Sequence, residues 1–213
     1  MGTRGARSGT GQRAPLTRDR ILTAALELID REGLEALSMR KLGAELGVEA
    51  MSLYNHVANK DDVLDGVVTL LWSEIASRTP TTGPWDEQAR DFANAVRATA
   101  HAHPQAYPLV LTRGVLPPTV FRLGGKLQEA LQEAGFADLA PAAMLALTSH
   151  AASQALAEVI WYGERASDED DREASQWPPI VGAEEELPRF DLDAAFSFGL
   201  ELQIQALAAR LGY

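Results

Sequence analysis

The chain has 213 residues, a formal charge of −11, 46% apolar and 23% charged residues, the balance of an ordinary soluble globular protein. It contains no cysteine, which excludes disulfides, thiolate zinc sites and cysteine nucleophiles. No run of about 18 apolar residues occurs and the N-terminus lacks the apolar core of a signal peptide, so the expectation is a cytoplasmic protein without membrane attachment.

In chain order, residues 1–15, "MGTRGARSGTGQRAP", have nothing to bury and read as a disordered basic arm. Arg4, Arg7, Arg13 and Arg18 all precede the first acid, Asp19. A solvated tail and an arm that reaches a DNA minor groove both fit that composition. From Thr17 the period turns helical, with Ile21, Leu22, Ala25, Leu28 and Ile29 on one stripe and Gly33 placed to end it. Ser38 is a cap for a short second helix that turns Met39, Leu42 and Leu46 inward. Gly43 permits a close helix crossing, and Gly47 suits a tight turn. A third helix is expected from Glu49 to His56, and a fourth after Asn59, with Asp61 and Asp62 in its first turn and a stripe running from Val63 to Ile75.

"TPTTGP" at 79–84 breaks the pattern. Beyond it the periodicity predicts helices over 85–102, 107–113, 118–134, 138–165 and 191–211, with no alternating strand. Between the last two, residues 164–186 hold nine acids against two arginines, and 166–188 read as an acidic mobile loop. Charge divides along the chain. Residues 1–60 carry nine Lys/Arg against seven Asp/Glu, and residues 61–213 carry ten against twenty-three. A mildly basic first quarter can meet a polyanion although the whole chain is acidic.

That first quarter holds a helix, a glycine turn and a second short helix, "MRKLGAELGVEAMSLYNHV". Leu42, Leu46, Val48 and Leu53 fill a shared core, and the far face of the second helix is left to enter a major groove. On the helical wheel Met51 and Asn55 point away from Leu53, with Ser52 and Tyr54 on the flanks. Asn55 suits base edges, and Ala50 and Met51 suit a thymine methyl. Ser52, Tyr54 and His56 can donate to phosphates, while Arg40 and Lys60 add charge at the groove's edges. Buried three-helix units without DNA contacts share the same core pattern.

The stretch "ILTAALELIDREGLEALSMRKLGAELGVEAMSLYNHVANKDDVLDGV" resembles the N-terminal domain of the TetR family of bacterial repressors. "HPQAYPLVLTRG", "LQEAGF" and "AFSFGLELQIQALAARL" resemble the C-terminal domain of the tetracycline repressors within it. The resemblance implies an all-α fold: a three-helix helix-turn-helix DNA-binding domain over 16–61 and a larger helical effector-binding and dimerisation domain over 62–213. It further implies a homodimer on a palindromic double-stranded DNA operator, joined through a four-helix bundle of about 138–165 and 191–211. Matching DNA-contact positions are Arg40, Ser52, Tyr54, Asn55, His56 and Lys60. Ala50 and Met51 stand where the tetracycline repressors carry glutamine and proline, which implies a different operator.

The tetracycline repressors bind their drug as a magnesium chelate. Their metal-binding histidine falls on Leu109, or on Val110 with another gap. Further contacting residues fall on Ala76, Phe92 and near Leu127, while Thr112, Arg113 and Glu158 persist. Leu, Val, Ala and Phe cannot ligate a hard cation. The expectation is therefore a small, largely apolar, unidentified effector, no magnesium–tetracycline, and neither metal nor cofactor. Candidate ligand-binding residues are Phe92, Val96, Leu109, Thr112, Arg113, Leu127, His150, Gln154 and Glu158. A constitutive dimeric regulator without an effector is the alternative. An enzyme using His150 and Glu158 lacks any nucleophile–base pair or phosphate loop in the sequence.

Overall fold

The computed structural model describes residues 15–161 and 191–211, apart from the side chain of Trp161. The expectations for the arm up to residue 14 and for the acidic stretch 166–188 lie outside them. Among the described residues every regular element is a helix: α1 (Arg18–Glu32), α2 (Met39–Leu46), α3 (Ala50–Leu53), α4 (Lys60–Arg78), α5 (Trp85–Ala102), α6 (Pro108–Thr112), α7 (Pro118–Leu131), α8 (Ala140–Trp161) and α9 (Leu192–Arg210).

The helix ends have local causes. The side-chain oxygens of Thr17, Ser38, Asn59 and Asp191 accept backbone N–H bonds at the starts of α1, α2, α4 and α9. Gly47 ends α2 in the left-handed region (φ 66°, ψ 37°), and its neighbour Val48 donates back to Gly43 O at 2.9 Å. Ile21, Leu22, Ala25, Leu28 and Ile29 of α1 are buried with Leu42, Leu53, Val57, Val63 and Val67 in the core.

α3 is shorter than the sequence suggests. After Leu53 the backbone opens at Tyr54 (φ −68°, ψ −8°), and Asn55 and His56 continue as a turn. The reason lies downstream: the N–H groups of His56 and Val57 both converge on Leu53 O, at 2.9 and 3.0 Å, which draws Val57 into the core. Asp62 then accepts the Ala58 N–H at 2.8 Å and fixes the entry to α4.

α4 packs on α1 along one side and on α5, α6 and α7 along the other, so one rigid rod touches both the three-helix unit and the larger bundle. α5 lies along α8 in the bundle's most extensive contact, and α9 packs on α8. In that pair Leu147 and Ala151 of α8 and Phe196, Leu200 and Ile204 of α9 are buried within the chain.

Candidate nucleic-acid interface and ligand cavity

The turn places α3 where its outer face is unobstructed. A Cβ on Gly43 would lie 3.0 Å from Val48 O and 3.2 Å from the backbone of Ala50, so the absent side chain lets α2 and α3 cross this closely without a backbone shift. Leu53 anchors the other side at 0% exposure. Of the DNA-contact candidates, Met51, Tyr54, Asn55, His56 and Arg40 are exposed, and Ala50, Ser52 and Lys60 half-buried.

Bracing comes from charges that spacing alone did not reveal. The Arg18 guanidinium holds both carboxylate oxygens of Asp62, at 2.6 and 2.9 Å, and donates to His56 O at 3.3 Å. Arg18 therefore binds the loop that carries His56. The same hydrogen bond, followed by that from the Ala58 N–H, lowers the Asp62 carboxyl to about 2. Arg31 bridges to Glu45 at 2.6 Å, and Lys41 pairs with Glu32.

A cavity of about 820 Å³ opens between α4, α5, α7 and α8 and the segment through α6. Trp72 and Ile75 of α4, Phe92 and Val96 of α5, Tyr107, Val110, Val120, Phe121 and Met144 wall it. Among the described residues its polar lining is Tyr107, Gln128, Thr148, Ser149, Ser153 and the Trp72 indole, and none of the lining residues carries a formal charge. The Tyr107 hydroxyl donates to Ala152 O at 3.3 Å, and Thr148 Oγ1 donates to Met144 O at 2.9 Å. Burial pushes the Tyr107 phenol well above its ordinary range, so it stays a neutral donor.

Residues 21–67 match the family model of the bacterial regulatory proteins of the tetR family. An HTH-type transcriptional regulator of Saccharopolyspora erythraea is 32% identical over 208 residues, covering 92% of this chain and 86% of the relative. The chain belongs to the TetR family. The class E tetracycline repressor of Escherichia coli is 28% identical over 203 residues, 93% of each chain. The crystal structure of apo ActR from Streptomyces coelicolor superposes with a TM-score of 0.73 at 30% identity, covering 93% of this chain and 98% of that one. The same ActR has been crystallised in complex with actinorhodin (29% identity, TM-score 0.70, 94% and 100% covered). This TetR-family chain is accordingly a DNA-binding, helix-turn-helix transcription regulator.

Within this TetR-family fold the nine ligand candidates divide. Phe92 and Val96 line the cavity; the other seven lie outside its lining. Leu109 is buried beside the cavity-lining Val110, and Leu127 beside the lining Gln128. Thr112 donates to Pro108 O at 2.9 Å on the surface. Arg113 turns to α4, with Nε 2.6 Å from Asp65 Oδ1 and Nη2 3.3 Å from Asp61 Oδ1. His150 faces the Phe196 ring and the backbone of Gly199. Glu158, fully buried, accepts from Arg97 Nε at 2.7 Å and stands 2.7 Å from His101 Nε2, while Arg97 stacks over Phe196 at 4.9 Å. Gln154 sits on the same row of α8, and the neighbouring row, Met144, Thr148, Ser149, Ala152 and Ser153, is the one that meets the cavity.

Trp72, Tyr107, Leu111, Leu116, Val120, Phe121 and Gln128 were missed from the sequence. Their apolar stripes are indistinguishable from core-forming ones. The single signal was the Gly124–Gly125 pair inside α7, where bare backbone lines the space.

Proposed function

We propose that this regulator is a homodimeric repressor of a palindromic operator, released by a small, neutral, largely apolar molecule held in the α4–α8 cavity. The observation that carries the effector reading is the cavity itself: about 820 Å³, walled by aromatic and aliphatic side chains, with a few polar groups and, among the described residues, no charge. A magnesium–drug chelate suits it poorly, because among the described residues no carboxylate or imidazole lines the space. ActR, with the same fold, is crystallised with actinorhodin, which supports an organic effector here.

The transmission path follows from the contacts. Trp72 and Ile75 put α4 in the cavity wall, and the first turn of α4 follows directly on the α3 loop. Arg113 ties the end of α6 to Asp61 and Asp65 near the start of α4. His103, at the end of α5, stands 2.7 Å from Asp30 of α1 and 2.9 Å from Glu74 of α4. A ligand that fits the cavity better when α4 is tilted shifts the population toward that tilt and changes the spacing of the two α3 helices in the dimer.

Arg40, Ala50, Met51, Ser52, Tyr54, Asn55, His56 and Lys60 are proposed to meet the DNA. Phe92 and Val96, with the newly located wall residues, are proposed to meet the ligand. The test is release of the protein from a fluorescent operator duplex by a panel of neutral apolar compounds, repeated with Val96→Trp to fill the cavity. A compound that releases the wild type should fail on Val96→Trp at unchanged operator affinity. Equal release of both proteins would contradict the cavity as the effector site.

A further inference from the structure

We infer that Met51 is a specificity-determining residue that reads a thymine 5-methyl group, and that the operator carries A·T pairs under α3. The inference rests on α3 being the element that enters the major groove. Among the described residues before α5, Met51, at 75% exposure, and Tyr54, at 45%, are the exposed large hydrophobic side chains; every other one lies beyond residue 110. Met51 is therefore an apolar side chain presented to solvent by a unit whose other large apolar groups are packed.

Its position is fixed. The Gly43 crossing holds the backbone of Ala50 against α2, so Met51 is the next residue outward, with Leu53 locked in the core two residues on. From Ala50 to His56 no residue carries a formal charge, counting His as neutral. The cationic DNA-contact candidates, Arg40 and Lys60, belong to α2 and α4.

Guanine is read most often by a bidentate Arg or Lys, and α3 offers neither. The apolar mark in a major groove is the thymine methyl, and the unbranched, polarisable methionine adapts its shape to such a group. Asn55, about one turn further along, has the donor–acceptor pair that matches adenine N6 and N7. Both side chains thus favour the same class of base pair.

The experiment uses the full chain and an operator selected from random duplex DNA. Each thymine is replaced, symmetrically in both half-sites, by deoxyuridine, which deletes only the methyl. One replacement should weaken wild-type binding about fourfold per half-site, the worth of burying one methyl-sized group. Met51→Ala should bind the thymine operator less tightly by a similar factor and be indifferent to that replacement. Met51 is exposed, so the variant should keep the wild-type fold and melting temperature. Wild-type binding insensitive to every replacement, or a Met51→Ala protein that retains the full sensitivity, would overturn the inference while leaving operator binding intact. If the selection enriches no sequence, the operator-binding reading fails, and the inference with it.

Discussion

His103 sits between two carboxylates drawn from different parts of the fold, Asp30 on α1 and Glu74 on α4, and Glu74 is itself held by Arg78 at 2.9 Å. Burial alone would lower the imidazolium's pKa, but the two carboxylates outweigh it and the net shift is upward from 6.5. A histidine raised on folding contributes stability that is fully present below about 6.5 and is lost as pH rises through its folded value. The melting temperature of the wild type should therefore fall as pH increases from about 6.5 into the mildly alkaline range, more than that of His103→Gln. Parallel curves for the two proteins would show that the bridge is unimportant. Glu158 is also held by long-range partners. It shares a helix row with His150 and Gln154 that could line a pocket or a dimer seam, and Arg97 and His101 from α5 hold its carboxylate. Pairings between residues this far apart in sequence depend on how the helices pack, which periodicity along one helix does not encode.

At the level of elements, much was legible because it is local. Caps at Ser38 and Asn59, the turn at Gly47 and the inward stripe of α1 all follow from side chains within a few residues. The length of α3 was not legible, since its end is set by the pull of Val57 into the core and by Asp62 gripping Ala58. The cavity was also hidden, because a helix face bordering empty space carries the same residues as one bordering another helix. The α2–α3 crossing supplies the test at this scale. Gly43→Val adds bulk where even a Cβ would be 3.0–3.2 Å from backbone atoms, and backbone cannot rotate aside. Overpacking of this kind costs about 1–3 kcal/mol. Thermal unfolding should show that loss, with operator affinity reduced further than stability requires because α3 is displaced. Full affinity in a folded Gly43→Val protein would mean that the crossing does not position the DNA face.

For the whole molecule, the charge division has a physical use: the acidic excess lies beyond residue 60, while the helix-turn-helix surface keeps its few cations at the edges of α3. The proposed dimer calls for apolar surface on the bundle, and Leu145, Ile160, Phe198 and Leu202 of α8 and α9 are exposed large hydrophobic residues. On the same two helices Leu147, Ala151, Phe196, Leu200 and Ile204 are core within one chain. A protein carrying Phe198→Glu and Leu202→Glu should sediment as a folded monomer and bind the operator at least about tenfold more weakly, having lost the second half-site. A dimer that survives both charges would place the interface elsewhere.

The most direct measurement is the affinity of the wild type for its selected operator and for a scrambled duplex across a range of salt, with Asn55→Ala and Lys60→Ala alongside. Helix-turn-helix binding predicts a steep linear fall of log affinity with log salt and a strong preference for the operator. Asn55→Ala should relax the preference at particular bases by about 1–3 kcal/mol, whereas Lys60→Ala should weaken all sites alike and reduce the salt slope by about 1. Binding without a salt slope, or without preference for the operator, would contradict a sequence-reading α3.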